Sequence, residues 1–300
     1  MDIPNLEPMV SIIVPTYNRA HYIDFTIRSA LGQTYENIEL IVIDDGSTDD
    51  TRTIVSPYLE YHNFIYCEQE NRGQSVARNK GLSLASGEFI CFLDSDDVLV
   101  SDAIEVLVKY IMHYSDVSVV YGNLDFIDGD GNYVPGINPR RYSGTITRQL
   151  LIDNCVSFDG VLIRRSCLEM VGGLDERVDV GDDYDLWLRV SVGHKFLYVP
   201  KVFGQYRIMH QQISTDIDRR FKSNKSCLER FFEDNPGLQE STEKNYFWCR
   251  FYTRFGSNYA YRGNLRKAFR FYFKAISFKF FSIYPWRALL KLIIYYRNLK

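Results

Sequence analysis

Phe89-Ile90-Cys91-Phe92-Leu93-Asp94-Ser95-Asp96-Asp97 is a short apolar run that ends abruptly in carboxylates. An apolar run without alternation reads as a strand buried on both faces, as in a parallel sheet. The same pattern lies upstream, where Ile38 to Ile43 runs into Asp44-Asp45-Gly46-Ser47. Val10 to Pro15 and Phe64 to Cys67 are two further strands. Between them, Tyr22 to Leu31 sets Ile23, Ile27, Ala30 and Leu31 at helical spacing. Thr48 to Tyr61 reads as a helix capped by Ser47 or Thr48, and Gln74 to Ala85 as one closed by Gly87 in a left-handed cap. This alternation predicts an α/β domain with a mostly parallel sheet, right-handed crossovers and flanking helices. Ligands of such sheets bind beyond the carboxyl ends of the strands. Two acidic strand ends on one rim require a counterion there.

The later chain is less regular. Short strands are expected at Val117–Tyr121, Gly160–Ile163 and Lys195–Tyr198, and a helix is expected from near Asp182. Beyond Ser214 the pattern is helical, with breaks at Gly263-Asn264 and Pro285. The division expected is a catalytic domain over 1–215 and a helical extension over 216–300. Of the 300 residues 46% are hydrophobic and 24% charged, a globular balance. No run reaches the roughly 18 apolar residues of a spanning helix. Met1 to Met9 lacks the pattern of a secretion signal, so a cytoplasmic protein is expected. The six cysteines are scattered without a CxxC pair, which predicts buried thiols rather than disulfides or zinc.

Asp94-Ser95-Asp96 places two carboxylates at i and i+2 just past a strand. Such a pair can hold a hard divalent cation whose remaining positions stay open for phosphate oxygens. Departure of a nucleoside diphosphate needs that neutralisation. In isolation, aspartates in a turn after a strand are an equally good reading. Here the pair follows Val10 to Asn18, Asp44 to Asp49, and Gly73 to Asn79 with Gly81, in that order. This succession resembles the family 2 glycosyltransferases, inverting enzymes with the Rossmann-like GT-A fold. The resemblance covers roughly residues 9 to 215. It implies a base pocket at Pro15, Thr16 and Tyr17, a base contact at Asp45, and Arg78 near the diphosphate or base. It further implies that Asp94 contacts ribose and that Asp96 binds Mn²⁺ or Mg²⁺.

Gly172-Gly173-Leu174-Asp175-Glu176 and then Gly181 to Arg189 resemble the acceptor-side signature of the same family. There the second acid of an acidic pair is the catalytic base, which falls on Asp183. Asp182 stands where the family more often has Glu, and Trp187 completes the acceptor-side set. Direct displacement at an anomeric carbon requires a carboxylate that takes the proton of the attacking hydroxyl. The bare-pattern alternative is that Asp182, Asp183 and Asp185 are first-turn acids favoured by the helix dipole. Gln205 to Ser214 resembles the end of the family's catalytic domain, which implies Arg207 near the diphosphate. Met209 occupies the usual His place, with His210 following as a shifted metal-ligand candidate. Asp128-Gly129-Asp130-Gly131 lacks the rest of a calcium loop and reads as a hairpin turn.

After Glu243 no acidic residue occurs, while Arg250, Arg254, Arg262, Arg266, Lys267, Arg270, Lys274, Lys279, Arg287 and Lys291 follow. Arg266, Arg270 and Lys274 share a helical face, with Leu265, Phe269, Tyr272 and Ile276 as an apolar face alongside. Two readings stand: contact with an anionic membrane surface, or a helical cap with solvated cations. Nucleic acid is not expected as a partner. The resemblance implies transfer of a hexose from a nucleotide sugar, a UDP-sugar foremost, to a hydroxyl of a glycan or lipid-linked acceptor. That fits surface polysaccharide biosynthesis at the inner face of the cell membrane. The competing readings are a degenerate transferase kept as a membrane scaffold and a sugar-1-phosphate nucleotidyltransferase. The latter requires a Gly-rich loop where Pro15-Thr16-Tyr17-Asn18-Arg19 stands.

Overall fold

The apolar runs become strands: β1 (Val10–Thr16), β2 (Ile38–Asp44), β3 (Phe64–Glu68) and β4 (Phe89–Phe92). They are followed by β5 (Val98–Leu99), β6 (Val117–Ile127), β7 (Val161–Arg164) and β8 (Lys195–Arg207). The structure is a computed structural model and describes residues 7–209, 212, 215–238 and 241–297. One 8-stranded sheet has the order β3-β2-β1-β4-β7-β6-β8-β5. β3, β2, β1 and β4 run parallel, β7 is antiparallel to both of its neighbours, and β6 and β8 run parallel. The chain leaves β1 toward β2 and β3, then returns to the other side of β1 with β4. That reversal makes the carboxyl ends of β1, β2 and β4 a switch point, where open α/β sheets bind ligands.

The helices are α1 (Ile23–Leu31), α2 (Thr51–Val55), α3 (Gln74–Leu84), α4 (Ala103–His113), α5 (Thr147–Ile152), α6 (Arg165–Val171) and α7 (Asp182–Val190). Then come α8 (Ile217–Asp234), α9 (Ser241–Tyr261), α10 (Leu265–Phe278) and α11 (Ile283–Arg297). The helix expected over Thr48–Tyr61 is shorter, because Pro57 sits at the start of a 3-10 turn, Ser56–Glu60, that replaces its second half. Neither Ser47 nor Thr48 caps α2; the Asp49 carboxylate instead accepts from the Thr51 N–H at 3.0 Å. Gly87 is not left-handed either. A Cβ there would lie 2.6 Å from the Ser11 N, so the glycine is needed for close passage beside β1. The expected hairpin at Asp128–Gly131 is present, with Gly131 at φ 88 and Ile127 bridged to Tyr133. No disulfide is present among the described residues.

The chain divides into two compact units, Met1–Thr147 with Cys155–Gln212, and Arg148–Asn154 with Ile213–Lys300. The first holds the sheet, whose central strands β1 and β2 are buried along their whole length. The second is built on aromatic packing: Phe221, Trp248, Phe251, Tyr252 and Phe255 form a connected ring cluster. Gly256 lets Tyr272 of α10 approach α9, since a Cβ would meet its ring at 2.7 Å. Tyr272 and Ile276, the centre of the apolar face expected on α10, are buried in this core. No helix among the described residues is long and apolar enough to cross a membrane.

Candidate active site at the carboxyl edge of the sheet

The loops after β1 and β2 are tied together by short side chains. Asn18, in the left-handed region at φ 52, accepts from the Thr48 N–H through Oδ1 at 2.8 Å. Its own N–H donates to Ser47 Oγ at 2.9 Å. The Asp44 carboxylate accepts from the Ser47 N–H and from the Tyr66 hydroxyl, each at 2.7 Å. Burial and this carboxylate hold the Tyr66 proton on well beyond the ordinary tyrosine range. Asp45 uses both oxygens on the loop ahead of α3, accepting from Gln69 Nε2 at 2.7 Å, the Arg72 N–H at 2.9 Å and the Gly73 N–H at 2.7 Å. Asp45 thus shapes the entry to α3, and its carboxylate is buried rather than open to solvent. Pro15 and Thr16 are buried at the end of β1, and Tyr17 is exposed. Thr16 Oγ1 has no hydrogen-bond partner among the described residues.

Arg78 is the hub. It sits in α3 with 2% of its surface exposed, and its guanidinium joins two carboxylates from distant parts of the chain. One arm bonds Asp94 at the end of β4 and the other reaches Asp182 at 2.5 Å in the first turn of α7. The Phe158 ring lies 4.5 Å from the guanidinium carbon. Burial by itself would lower the affinity of Arg78 for its proton. The Asp182 and Asp94 charges reverse that and hold it charged more firmly than usual. A buried charge with both partners in place is stable, and one stripped of a partner is not.

The first turn of α7 assigns its three acids different surroundings. Asp182 is buried and accepts also from Ser75 Oγ at 3.1 Å and Gln74 Nε2 at 3.2 Å. Asp185 pairs with Arg189 at 2.8 Å, and Arg189 donates onward to the Val171 and Gly173 carbonyls. Asp183, between them, is half-buried and partly open to solvent. Trp187 lies wholly inside, its ring packed between Phe158 and Phe196. Four residues on from Asp183, it shares that residue's helix face one turn deeper and anchors α7 on β8 through Phe196.

The rim after β4 is crowded with negative charge. One oxygen each of Asp94, Asp97 and Asp159 lie within 4.8 Å of one another. The Asp94 N–H donates to Asp159 Oδ1 at 3.0 Å, and Asp97 Oδ1 accepts from the Arg207 N–H at 2.7 Å. Asp96 stands apart from this group and meets Arg19 Nε at 3.4 Å. Burial and the Asp94 charge push the Asp159 carboxyl up to about 7. Burial and the Asp159 charge raise Asp97 well above the carboxylate range. Among the described residues no donor reaches Asp97 Oδ2. Asp96 is raised too, by burial first and then by Asp94, against the pull of Arg19.

A divalent cation fits this rim. The side chains of Asp94 and Asp96 are 35% and 14% exposed, so a cation on either keeps positions open for a second ligand. Asp97 and Asp159 are buried and lack that opening. Arg207 is buried beneath the rim. It donates to the Asp96 carbonyl at 2.8 Å and to the Asp128 and Gly129 carbonyls, under the Tyr22 ring. It therefore supports the Asp94–Asp97 turn from beneath. His210 lies outside the described residues. Sequence reading missed Arg19, Asp159 and Phe158. Arg19 carries a signal in hindsight, as a cation two residues past Tyr17 at a strand end. Asp159 and Phe158 sit in no recognisable pattern.

The profile of glycosyl transferase family 2 matches residues 11–172, which span β1, the Asp94–Asp96 turn and β7. The chain is 31% identical over 236 residues to the Escherichia coli protein "UDP-Glc:alpha-D-GlcNAc-diphosphoundecaprenol beta-1,3-glucosyltransferase WfgD", covering 76% of this chain and 88% of that one. It is also 31% identical over 199 residues to an uncharacterized glycosyltransferase of Rickettsia bellii, of which it spans 29% while 66% of this chain is covered. Among solved structures, TarS 1–349 of S. aureus in complex with UDP-GlcNAc superposes with a TM-score of 0.62 at 17% identity, covering 90% of this chain and 91% of that one. The mannosyltransferase PcManGT of Pyrobaculum calidifontis, in complex with GDP-Man and Mn2+, gives 0.65 at 21% identity over 91% of this chain and 76% of that one. Both likenesses are of fold: a mostly parallel sheet flanked by helices, of GT-A type, with a helical C-terminal region. With the acidic turn after β4, the strand-end loops and the α7 acids in one linked arrangement, the chain belongs to glycosyl transferase family 2.

Proposed function

We propose that this chain transfers one hexose from a nucleotide diphosphate sugar to a hydroxyl of a glycan or lipid-linked acceptor, with inversion at the anomeric carbon. The carrying observation is the Arg78 bridge, which ties the Asp94 end of the acidic rim to the residue immediately before Asp183. Donor site and base thereby flank one cleft, the arrangement that in-line displacement needs. Pro15, Thr16 and Tyr17 line the nucleoside side, with Asp45 setting the α3 entry and Asp94 facing the ribose. Asp96 is the residue that holds Mn²⁺ or Mg²⁺. When bound, the cation neutralises the charge that grows on the departing diphosphate. Asp183 accepts the proton of the attacking hydroxyl: it holds the second place of the acidic pair that the family resemblance makes the base, and it is half-buried at the start of α7. UDP is the favoured nucleotide because WfgD is a UDP-Glc enzyme and TarS was solved with UDP-GlcNAc. A diphosphate-linked acceptor at WfgD supports a role in surface polysaccharide assembly, on the cytoplasmic face of the cell membrane.

The test is a thermal-shift panel of nucleotide sugars with Mn²⁺ or with chelator. One nucleotide class should stabilise the protein, and chelator should remove the effect. Asp96→Asn should abolish the metal dependence, whereas Asp159→Asn should keep it. Stabilisation by no nucleotide sugar, with metal present, would refute the reading.

A further inference from the structure

The second unit exposes an apolar surface that its own core does not use. On α11, Ile283, Trp286, Leu290, Ile293 and Ile294 are all exposed, at i, i+3, i+7, i+10 and i+11. That spacing forms one stripe of an amphipathic helix. The turn ahead of α11 adds Phe280 and Phe281, the latter 94% exposed. The Trp286 indole N–H donates to the Phe280 carbonyl at 2.8 Å, holding turn and stripe together. Leu289 and Leu292, on the side of α11 adjoining the stripe, are buried. Helix packing is thus satisfied without the exposed stripe.

One residue beyond Trp286 and Leu290 stand Arg287 and Lys291, a cationic row bordering the stripe. Both line a cavity of about 780 Å³ within this unit, together with Arg250 and Arg254 of α9. Among the described residues, these four cations share the cavity with one carboxylate, Asp153. Arg254 already bonds that carboxylate, and its Nη2 is buried with no partner among the described residues. Arg250 lies 3.6 Å from the centre of the Tyr284 ring, which fixes its direction. The cavity has the size of a small-molecule site and an uncompensated positive charge. The ligand chemistry it calls for is an anion of phosphate type.

We propose that α11 lies in the plane of an anionic bilayer surface, with its apolar stripe at the headgroup–acyl boundary and a lipid phosphate in the Arg250–Arg254–Arg287–Lys291 cavity. The charge complementarity selects the occupant: a second copy of this chain would bring another set of cations to the same face. Apolar stripe, bordering cations and interfacial aromatics together are what an in-plane helix requires. Attachment of this kind rests on the membrane-facing placement proposed above but not on transfer chemistry.

Vesicle cosedimentation of the full chain, without donor or acceptor, tests it. Vesicles of phosphatidylcholine with phosphatidylglycerol should bind the protein, and phosphatidylcholine alone should bind it weakly. Arg287→Gln with Lys291→Gln should weaken anionic-vesicle binding by about 25-fold, from about fivefold per cation. Trp286→Ser with Leu290→Ser should weaken it by at least about tenfold. All four positions are exposed, so circular dichroism should show the helical fold retained and exclude unfolding as the cause. Binding to neither vesicle, or equal binding to both that ignores the cation pair, overturns the proposal. So does a dimer in solution that Trp286→Ser with Leu290→Ser dissociates, without vesicle binding. Inorganic phosphate that raises the melting temperature while vesicles do not bind would assign the cavity to a free anion instead. Because no sugar nucleotide enters the assay, failure here leaves the transferase reading standing, and a failed donor panel leaves this one standing.

Discussion

Two neighbouring carboxylate sites, built from the same residue type, are given different partners by the fold. Around Arg78, Asp94 and Asp182 share one cation, which keeps its charge in spite of complete burial. Beside that turn, Asp97 and Asp159 meet no cationic side chain in a salt bridge among the described residues, and burial raises both above the ordinary aspartate range. The lesson is that sequence proximity to an acidic motif does not decide which charge a carboxylate meets; the packing of distant elements does. The first site joins the rim to the base helix. The second braces the turn that presents Asp94 and Asp96.

The largest effect should come from the acid that belongs to neither pair. Asp183→Asn should lower the transfer rate by about 10²–10⁴-fold, the usual contribution of a positioned base, while donor binding by thermal shift is kept. Transfer that persists at near wild-type rate would move the base elsewhere. Arg78→Ala strips a cation from buried Asp182 and half-buried Asp94 and should cost about 3–5 kcal/mol in denaturant unfolding. Adding Asp182→Asn to that variant should recover part of the loss, because one orphaned charge is removed. Arg78→Lys is expected to remain impaired, since an ammonium cannot fork between two carboxylates.

Asp159→Asn addresses the cation-free pair. Its folded carboxyl is raised above the unfolded value, so its stabilising contribution is complete in acid and is lost as pH rises through about 7. With chelator present, wild-type stability should fall between about pH 4 and pH 7 by at most about 4 kcal/mol from this group. Asp159→Asn should flatten that slope; an unchanged slope would mean that the Asp159 carboxyl is not raised in the folded protein. The smallest effect is expected from Tyr66→Phe, which deletes the hydroxyl bonded to Asp44 and should cost about 1–1.5 kcal/mol in melting experiments.

Much of the first unit was readable from local pattern. Continuous apolar runs marked β1 to β4 because a strand covered on both faces has no polar side to display. The acids at their ends marked the ligand rim because loops carry what a buried strand cannot. The length of α2 was misread because Pro57 does not disturb the apolar period that surrounds it. Gly87 was misread because its reason lies in the passing β1 strand and not in its own helix. On α10 the apolar face was visible, and only the structure says that it is buried while the exposed stripe belongs to α11.

The amino-acid order alone determined where strands begin, where carboxylates cluster and that the tail is cationic, since each depends on neighbours within a turn or two. Tertiary structure alone decided which carboxylate meets which cation. Arg78 and Asp182 are 104 positions apart, and nothing local distinguishes Asp182 from Asp183 until α3 and α7 pack. Electrostatic energy falls with distance through space and is indifferent to distance along the chain, so charge state is settled only when the fold closes.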